Sequence, residues 1–404
     1  MTATVIFILI FSVGAFAANT SAEDFPPMQV EINAKAALLM EAETGKVLMA
    51  SDPHEKLPPA SVTKIMSLLL VAEAIDDGKI SLTDEVTVST EASKMGGSQI
   101  WLKENEVMTV DDLLKATAVY SANDACTALS EYVGGSTSAF VRMMNERAKE
   151  LGMNDTNFEN CTGLDDTVTQ HYTSCYDIAL MSRELLKHKM ITNYTTIWMD
   201  TLRGGKTQLV NTNKLIRFYN GATGLKTGTT DKAGCCVSAT AERDGMSLIA
   251  VVLGSDNSKD RFSAARAMLD WGFANYSKVT VSVDCDKITS VRVLGGTEDY
   301  ITPFLSKEMT VVMKKEDMSK LSNEVVLSED VSAPVEKGQK LGAVVLSLDG
   351  EKQCEIPLTS PIRVEKLSLR DVVLRLFSAL NNPCLLYTSP SPRDGATSRM
   401  PSSA

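Results

Sequence analysis

Apolar and polar positions follow three different rhythms along this chain. At the N-terminus, Val5–Phe11 is an unbroken apolar run too short to cross a bilayer, and Ala15-Phe16-Ala17 follows as an A-x-A cleavage pattern. Residues 1–17 are therefore expected to be a secretory signal peptide, although no Lys or Arg precedes the run. After Pro26-Pro27, Ala36–Met40 and Lys46–Ala50 flank Glu43-Thr44-Gly45, which predicts a hairpin. The period then lengthens. Ile65, Leu68, Leu69 and Ala72 recur at helical spacing behind Pro58-Pro59-Ala60-Ser61, and Gly78 ends the run. Further helical patterns cover Val110–Val119, Asp124–Tyr132, Ser138–Leu151 and Ser174–Leu186. Strand signals return at Gly234–Glu242 and Met246–Leu253 around an Asp244-Gly245 turn. Lys259–Tyr276 is amphipathic, with Phe262, Ala265, Leu269 and Phe273 on one side.

From about residue 278 the alternation shortens to period two. Val279–Val283, Thr289–Val293, Met309–Met313, Val344–Leu348 and Cys354–Leu358 predict a small all-β domain over residues 278–366. It has no histidine and no convincing polar cluster, so the chemistry is placed in the mixed α and β domain of residues 28–277. Over residues 367–381, Leu369, Val372, Val373, Leu376, Phe377 and Leu380 fall on one helical face, with Arg370, Asp371 and Arg375 elsewhere. Such a helix would lie in a membrane interface or dock on its own protein. Residues 384–404, opening with Cys384-Leu385-Leu386-Tyr387, resemble a translated sequencing-library adapter and are set aside from the fold.

Composition narrows the classes. The 404 residues carry 40 Lys and Arg against 51 Asp and Glu, a net charge of −11, which argues against a nucleic-acid partner. With 44% apolar residues, disorder and a disulfide-stapled miniprotein are excluded. Three histidines (His54, His171, His188), no H-E-x-x-H and no C-x-x-C leave no metal site to expect, and no cofactor is implied. Of eight cysteines, Cys384 lies in the set-aside tail. The others (Cys126, Cys161, Cys175, Cys235, Cys236, Cys285 and Cys354) are expected to be mostly small buried hydrophobes, with no disulfide framework.

Three separated motifs carry candidate chemistry. In Ser61-Val62-Thr63-Lys64, hydroxyl and amine share one helical face at the positive end of a helix, suited to covalent catalysis with an oxyanion stabilised there. Lys64 can act as base only if its pKa is lowered by burial or a second cation. Alone, the same text reads as a capping serine and a solvated lysine. Ser121-Ala122-Asn123 stands between two helical patterns. Ser121 could relay a proton and Asn123 hold an amide carbonyl, or the serine could simply cap a helix. Lys226-Thr227-Gly228-Thr229 follows Gly221 and Gly224 on an expected strand. Gly228 would admit a close backbone and an added peptide strand, and Lys226 would depress the Lys64 pKa and attract a carboxylate. A solvated edge lysine is the bland alternative.

Together, S-x-x-K, S-x-N and K-T-G in this order resemble the penicilloyl-serine transferases. The wider text Pro59–Met66, Gly163-Leu164, His171-Tyr172-Thr173-Ser174 and Gly221–Gly228 is similar to serine-type D-Ala-D-Ala carboxypeptidases, the low-molecular-weight penicillin-binding proteins of peptidase family S11. The resemblance implies an α+β fold. Its catalytic domain would be β-lactamase-like, a helical subdomain plus an antiparallel sheet with flanking helices, followed by the small all-β domain and a membrane-associating helix. It implies Ser61 as nucleophile, Lys64 as base, Ser121 and Asn123 as catalytic partners, and Lys226, Thr227, Gly228 and Thr229 as substrate-binding residues. The amides of Ser61 and Thr229 would form the oxyanion hole. Arg261 matches a family arginine near the carboxylate site, with a solvated helix-start arginine as alternative. His171 is read as structural. The implied partners are a peptidoglycan stem peptide ending in D-Ala-D-Ala, β-lactams as covalent inhibitors, and a membrane surface. The implied location is the outer face of the cytoplasmic membrane. A D,D-endopeptidase, a serine β-lactamase and a non-catalytic wall-binding protein are the competing readings; residues 150–190 lack an E-x-x-L-N segment of the lactamase type.

Overall fold

Residues Ala36–Glu41 are buried on both faces and form strand β1, turned by the Glu41 carboxylate, which accepts the Thr44 amide and hydroxyl, into antiparallel β2 (Val47–Ser51). The computed structural model describes residues 25–166, 168–281, 287–305 and 309–381, so the expected signal peptide and the adapter-like tail lie outside the described residues. The chain divides into two units, up to Tyr276 and from Ser277 onward.

In the first unit α1 (Lys64–Asp76) is apolar nearly all round, which is why it is buried as a central helix rather than lying on a surface. A short hairpin, β3 (Glu85–Thr87) with β4 (Val107–Thr109), brackets α2 (Thr90–Ser93) and the Gly96–Leu102 loop. Thr109 caps α3 (Val110–Lys115), which widens into a π-helical turn over Ala116–Tyr120 and stops at Ser121, held at φ +64°. Then come α4 (Asn123–Gly134), α5 (Thr137–Glu150) and α6 (Cys175–Leu185), the last two begun by Ser136 and Ser174 caps. After α7 (Thr192–Thr195), the hairpin β5 (Met199–Leu202) with β6 (Thr207–Val210), and α8 (Leu215–Phe218), the chain returns to the sheet. It adds β7 (Ala222–Thr230), β8 (Gly234–Arg243) and β9 (Met246–Ser255), followed by α9 (Ser258–Asn275).

The sheet order is β2-β1-β9-β8-β7, antiparallel throughout, with β7 at an edge. Ala36, Leu38 and Met40 join the helical core around α1, α4 and α6. Leu39 and Leu248 meet Gly272 of α9, where a Cβ would come within 2.6 Å of Leu248. Helices thus cover the sheet on both faces, as expected for the α+β class. The two short hairpins were not foreseen, because three- and four-residue strands carry too few alternations to register.

The second unit holds β10 (Tyr276–Val281), β11 (Val291–Leu294), β12 (Tyr300–Ile301), β13 (Phe304–Leu305), β14 (Met309–Lys314), β15 (Leu321–Leu327), β16 (Asp330–Ser332), β17 (Lys340–Leu348) and β18 (Glu351–Thr359). They form sheets β10-β14, β12-β11-β16 and β13-β18-β17-β15. Two small cores fill them, one around Val291, Val293, Val335 and Leu341, the other around Val344, Leu346 and Leu358. The sequence pattern missed β12, β13 and β16, which are two or three residues long, and β15, where exposed Ser322, Asn323 and Glu324 interrupt the alternation. Helix α10 (Leu369–Asn381) completes the unit; Ser368 begins it, and Arg375 binds Asp299. Its apolar face is open, with Leu369 82%, Leu376 59% and Phe377 62% exposed, while Arg375 supplies a polar contact with the rest of the unit.

Candidate active site

The backbone leading into α1 is set by contacts that only glycine allows. Ala60 has φ +48°, and its carbonyl lies where a Cβ on Gly163 would come within 1.8 Å. The Thr63 hydroxyl donates to that same carbonyl (2.9 Å) and in turn accepts from Nε2 of His171 (2.8 Å). The Glu159 amide donates to His171 Nδ1 (3.0 Å), which fixes the neutral Nε2–H tautomer. Burial pushes the His171 pKa down to about 4, so the ring stays neutral and acts as a strut behind the turn. The structural reading of His171 fits this arrangement.

Ser61 and Lys64 follow on the braced turn. Lys64 is wholly buried, and its Nζ lies 3.0 Å from Ser61 Oγ, 2.6 Å from Asn123 Oδ1 and 2.7 Å from the Thr162 carbonyl. Two of these partners can only accept; Ser61 alone has a proton to give. A neutral Lys64 would donate to Asn123 and Thr162 and aim its lone pair at the Ser61 hydroxyl. Burial brings its pKa down to about 8, against the opposing pull of Cys126, Cys161 and Asp124. The solvated-lysine reading is excluded.

Ser121 and Asn123 enter from the far side. The cap of α4 is Ala122, with no side-chain bond, so Ser121 is not a helix cap. Its Oγ instead accepts from Lys226 Nζ at 2.8 Å. Asn123 differs from expectation: its Oδ1 accepts from Lys64, and its Nδ2 donates to Gly96 O (2.7 Å). One amide hydrogen remains for a substrate carbonyl.

Along the edge strand β7, Lys226 is 1% exposed and is no solvated edge residue. Burial first, and then the charge of Lys64, hold its pKa well below the ordinary value. This corrects the expectation for the lysine pair: burial accounts for the shift of Lys64, and the repulsion is felt at Lys226. A Cβ on Gly228 would sit 2.7 Å from Pro59 O and 2.8 Å from the Ser61 amide nitrogen, so the close approach expected there is to the chain's own Pro59–Ser61 turn. Thr227 donates its hydroxyl to Thr212 (2.8 Å), and exposed Thr229 donates to Gly228 O (2.7 Å). Arg261 is buried, so the solvated helix-start reading does not hold. Its Nη1 donates to Gly228 O (2.8 Å), Thr229 Oγ1 (2.9 Å) and Cys236 O (3.2 Å), tying β7 to β8.

Several contributors carried no visible motif. The Asp124 carboxylate accepts the amides of Ile100 and Leu102 and so holds the Gly96–Leu102 loop that supports Asn123. Its place directly after Ser121-Ala122-Asn123 was the only signal. Thr162 acts through its carbonyl, which no side-chain pattern could reveal; the neighbouring Gly163 was the clue. Among the described residues no group of three or more His, Cys, Asp or Glu could hold a metal ion. A wider hollow of 610 Å³ beside Lys214, Phe262 and Asp270 has no paired nucleophile and base, so size does not mark the site.

The profile of the D-alanyl-D-alanine carboxypeptidase family matches residues 19–257, a span containing every motif above. The chain belongs to this carboxypeptidase family. Residues 276–366 match the penicillin-binding protein 5 C-terminal domain, so the carboxypeptidase-type unit is followed by the all-β unit of that name. The carboxypeptidase DacF of Bacillus subtilis is 42% identical, with 89% of this chain and 92% of the relative covered. DacC of Escherichia coli is 34% identical over 89% and 90%. Penicillin-binding protein 5 of Haemophilus influenzae superposes with TM-score 0.75 at 30% identity, covering 84% of this chain and 99% of that one. Penicillin-binding protein D2 of Listeria monocytogenes, solved in an ampicillin-bound form, gives TM-score 0.56 at 30% identity over 61% and 99%.

Proposed function

We propose that this protein is a serine-type D-Ala-D-Ala carboxypeptidase acting on peptidoglycan stem pentapeptides and acylated by β-lactams. The observation that carries the reading is Lys64, buried with two acceptors and one hydroxyl around its amine. Neutral Lys64 takes the Ser61 proton as the oxygen attacks the carbonyl of the penultimate D-Ala. The tetrahedral oxyanion lies against the Ser61 and Thr229 amides. Lys64 passes the proton it took from Ser61 by way of Ser121, which Lys226 holds at 2.8 Å, to the leaving D-alanine amine and is neutral again, while Lys226 with Thr227 and Thr229 receives the terminal carboxylate. Water then attacks the acyl-serine, its proton passing through Lys64 back to Ser61 Oγ. A β-lactam enters by the same attack on its ring carbonyl.

The segment where a lactamase glutamate is expected offers none to Ser61: Glu159 accepts the amides of Thr169 and Gln170. This favours the carboxypeptidase over the β-lactamase reading. Export by residues 1–17, and a place on the outer face of the membrane with α10 in its interface, complete the proposal. Support for the last comes from the open apolar face of α10; no described helix is long and apolar enough to cross a membrane. The test is product analysis after incubation with a stem pentapeptide. Release of a single D-alanine is expected; cleavage only of cross-linked dimers would replace the reading with an endopeptidase.

A further inference from the structure

Two buried thiols stand directly behind the catalytic lysine. Cys126 lies one turn along α4 from Asn123, and Cys161 immediately precedes Thr162; both Asn123 and Thr162 accept hydrogen bonds from Lys64. Cys126 Sγ donates to the Cys161 carbonyl (3.4 Å), which also accepts from Ser67 Oγ of α1 (2.6 Å). The neighbouring Cys161 thiol and the charge of Lys64 hold the Cys126 pKa below its ordinary value against its burial. Cys161 lines a cavity of 340 Å³ with Met95, Thr127, Val141, Glu159 and Asn160. The Thr127 hydroxyl is buried there without a partner among the described residues. Cys161, itself 3% exposed, and its neighbour Thr162 both form part of this cavity's wall.

We propose that Cys126 and Cys161 form a thiol modification site, oxidised to a disulfide by small organic disulfides entering this cavity, and that the disulfide displaces the carbonyl support of Lys64. In the first exchange Cys161 sulfur attacks the reagent R–S–S–R. One R–S⁻ leaves and takes up the Cys161 proton, and the other RS group remains as a mixed disulfide. Cys126 sulfur then attacks Cys161 sulfur; the second R–S⁻ leaves with the Cys126 proton. The reagent gains two electrons as two R–SH, and the protein loses two thiol hydrogens. A bond of about 2.05 Å draws the two sulfurs together in place of the 3.4 Å hydrogen bond from Cys126 to the Cys161 carbonyl. The Cys161 peptide must move toward α4, and with it the Thr162 carbonyl 2.7 Å from Lys64 Nζ. The effect on catalysis rests on Lys64 being the base; formation of the cross-link does not.

The test uses the full chain and 2-hydroxyethyl disulfide, with peptide mapping and the rate of acylation by a fluorescent penicillin. The expected result is a Cys126–Cys161 cross-link and acylation slowed by ten- to a hundredfold, about the cost of misplacing a catalytic group by an ångström. Dithiothreitol should restore the rate; Cys161→Ser should be insensitive to the reagent, and Cys126→Ala should stop at a mixed disulfide on Cys161 without a cross-link. Free thiols at 126 and 161 after treatment would overturn the site. A mapped cross-link with an unchanged rate would overturn the coupling to Lys64. An equal slowing of both variants would assign the effect to other cysteines. Failure of untreated protein to react with penicillin would instead count against the proposed function.

Discussion

The Ser61–Lys64 pair makes its chemistry depend on pH in a defined direction. Lys64 is competent as a base only when neutral, and burial brings its pKa to about 8. Acylation should rise as pH increases through about 8 and level off above it, followed as the initial rate with a fluorescent penicillin. Lys64→Ala should lose acylation at neutral pH; a full rate in that variant would move the base elsewhere. His171 gives a second pH signature, in stability. Its folded pKa lies below the unfolded value of 6.5, so the unfolded chain binds more protons between about 4 and 6.5. Stability should therefore fall as pH drops through that window, by up to about 3 kcal/mol at the lower end. Urea unfolding of His171→Gln should show a shallower dependence there. At this scale the pairing of Ser61 with Lys64 and the placement of Lys226 beside Ser121 were legible, because their motifs are short and local. The hydrogen bonds of Asn123 and Arg261 to backbone carbonyls were not, since those partners are distant in sequence.

Edge strand β7 and the turn before α1 are held together by the absence of one side chain. Gly228→Val would drive a Cβ into Pro59 O and the Ser61 amide, costing about 1–3 kcal/mol of stability. It should also slow acylation by moving the strand from the nucleophile; an unchanged rate would show that β7 does not border the reacting carbonyl. Helices α1, α4, α5 and α6 and strands β8 and β9 were visible in the hydrophobic period because each is long and packs on the shared core. The widening of α3 into a π turn was not, since the pattern over Val110–Val119 reads as continuous helix. That turn ends in the left-handed Ser121 and so presents its hydroxyl to Lys226.

For the whole molecule, the two-unit division was legible as a change of period near residue 278, while the destination of the last helix was left open. With the apolar face of α10 exposed, the protein should co-sediment with lipid vesicles. Replacing Leu376 and Phe377 together by Asp should abolish this, each buried side chain contributing about 1.5–3 kcal/mol, without changing acylation. Equal sedimentation of the two forms would remove the interfacial role. The central claim is that Ser61 is the acylated nucleophile, and it is tested most directly by peptide mass mapping after exposure to benzylpenicillin. A single covalent adduct on Ser61, lost in a folded Ser61→Ala variant, is the predicted result; an adduct on another residue, or its persistence in that variant, would contradict the account.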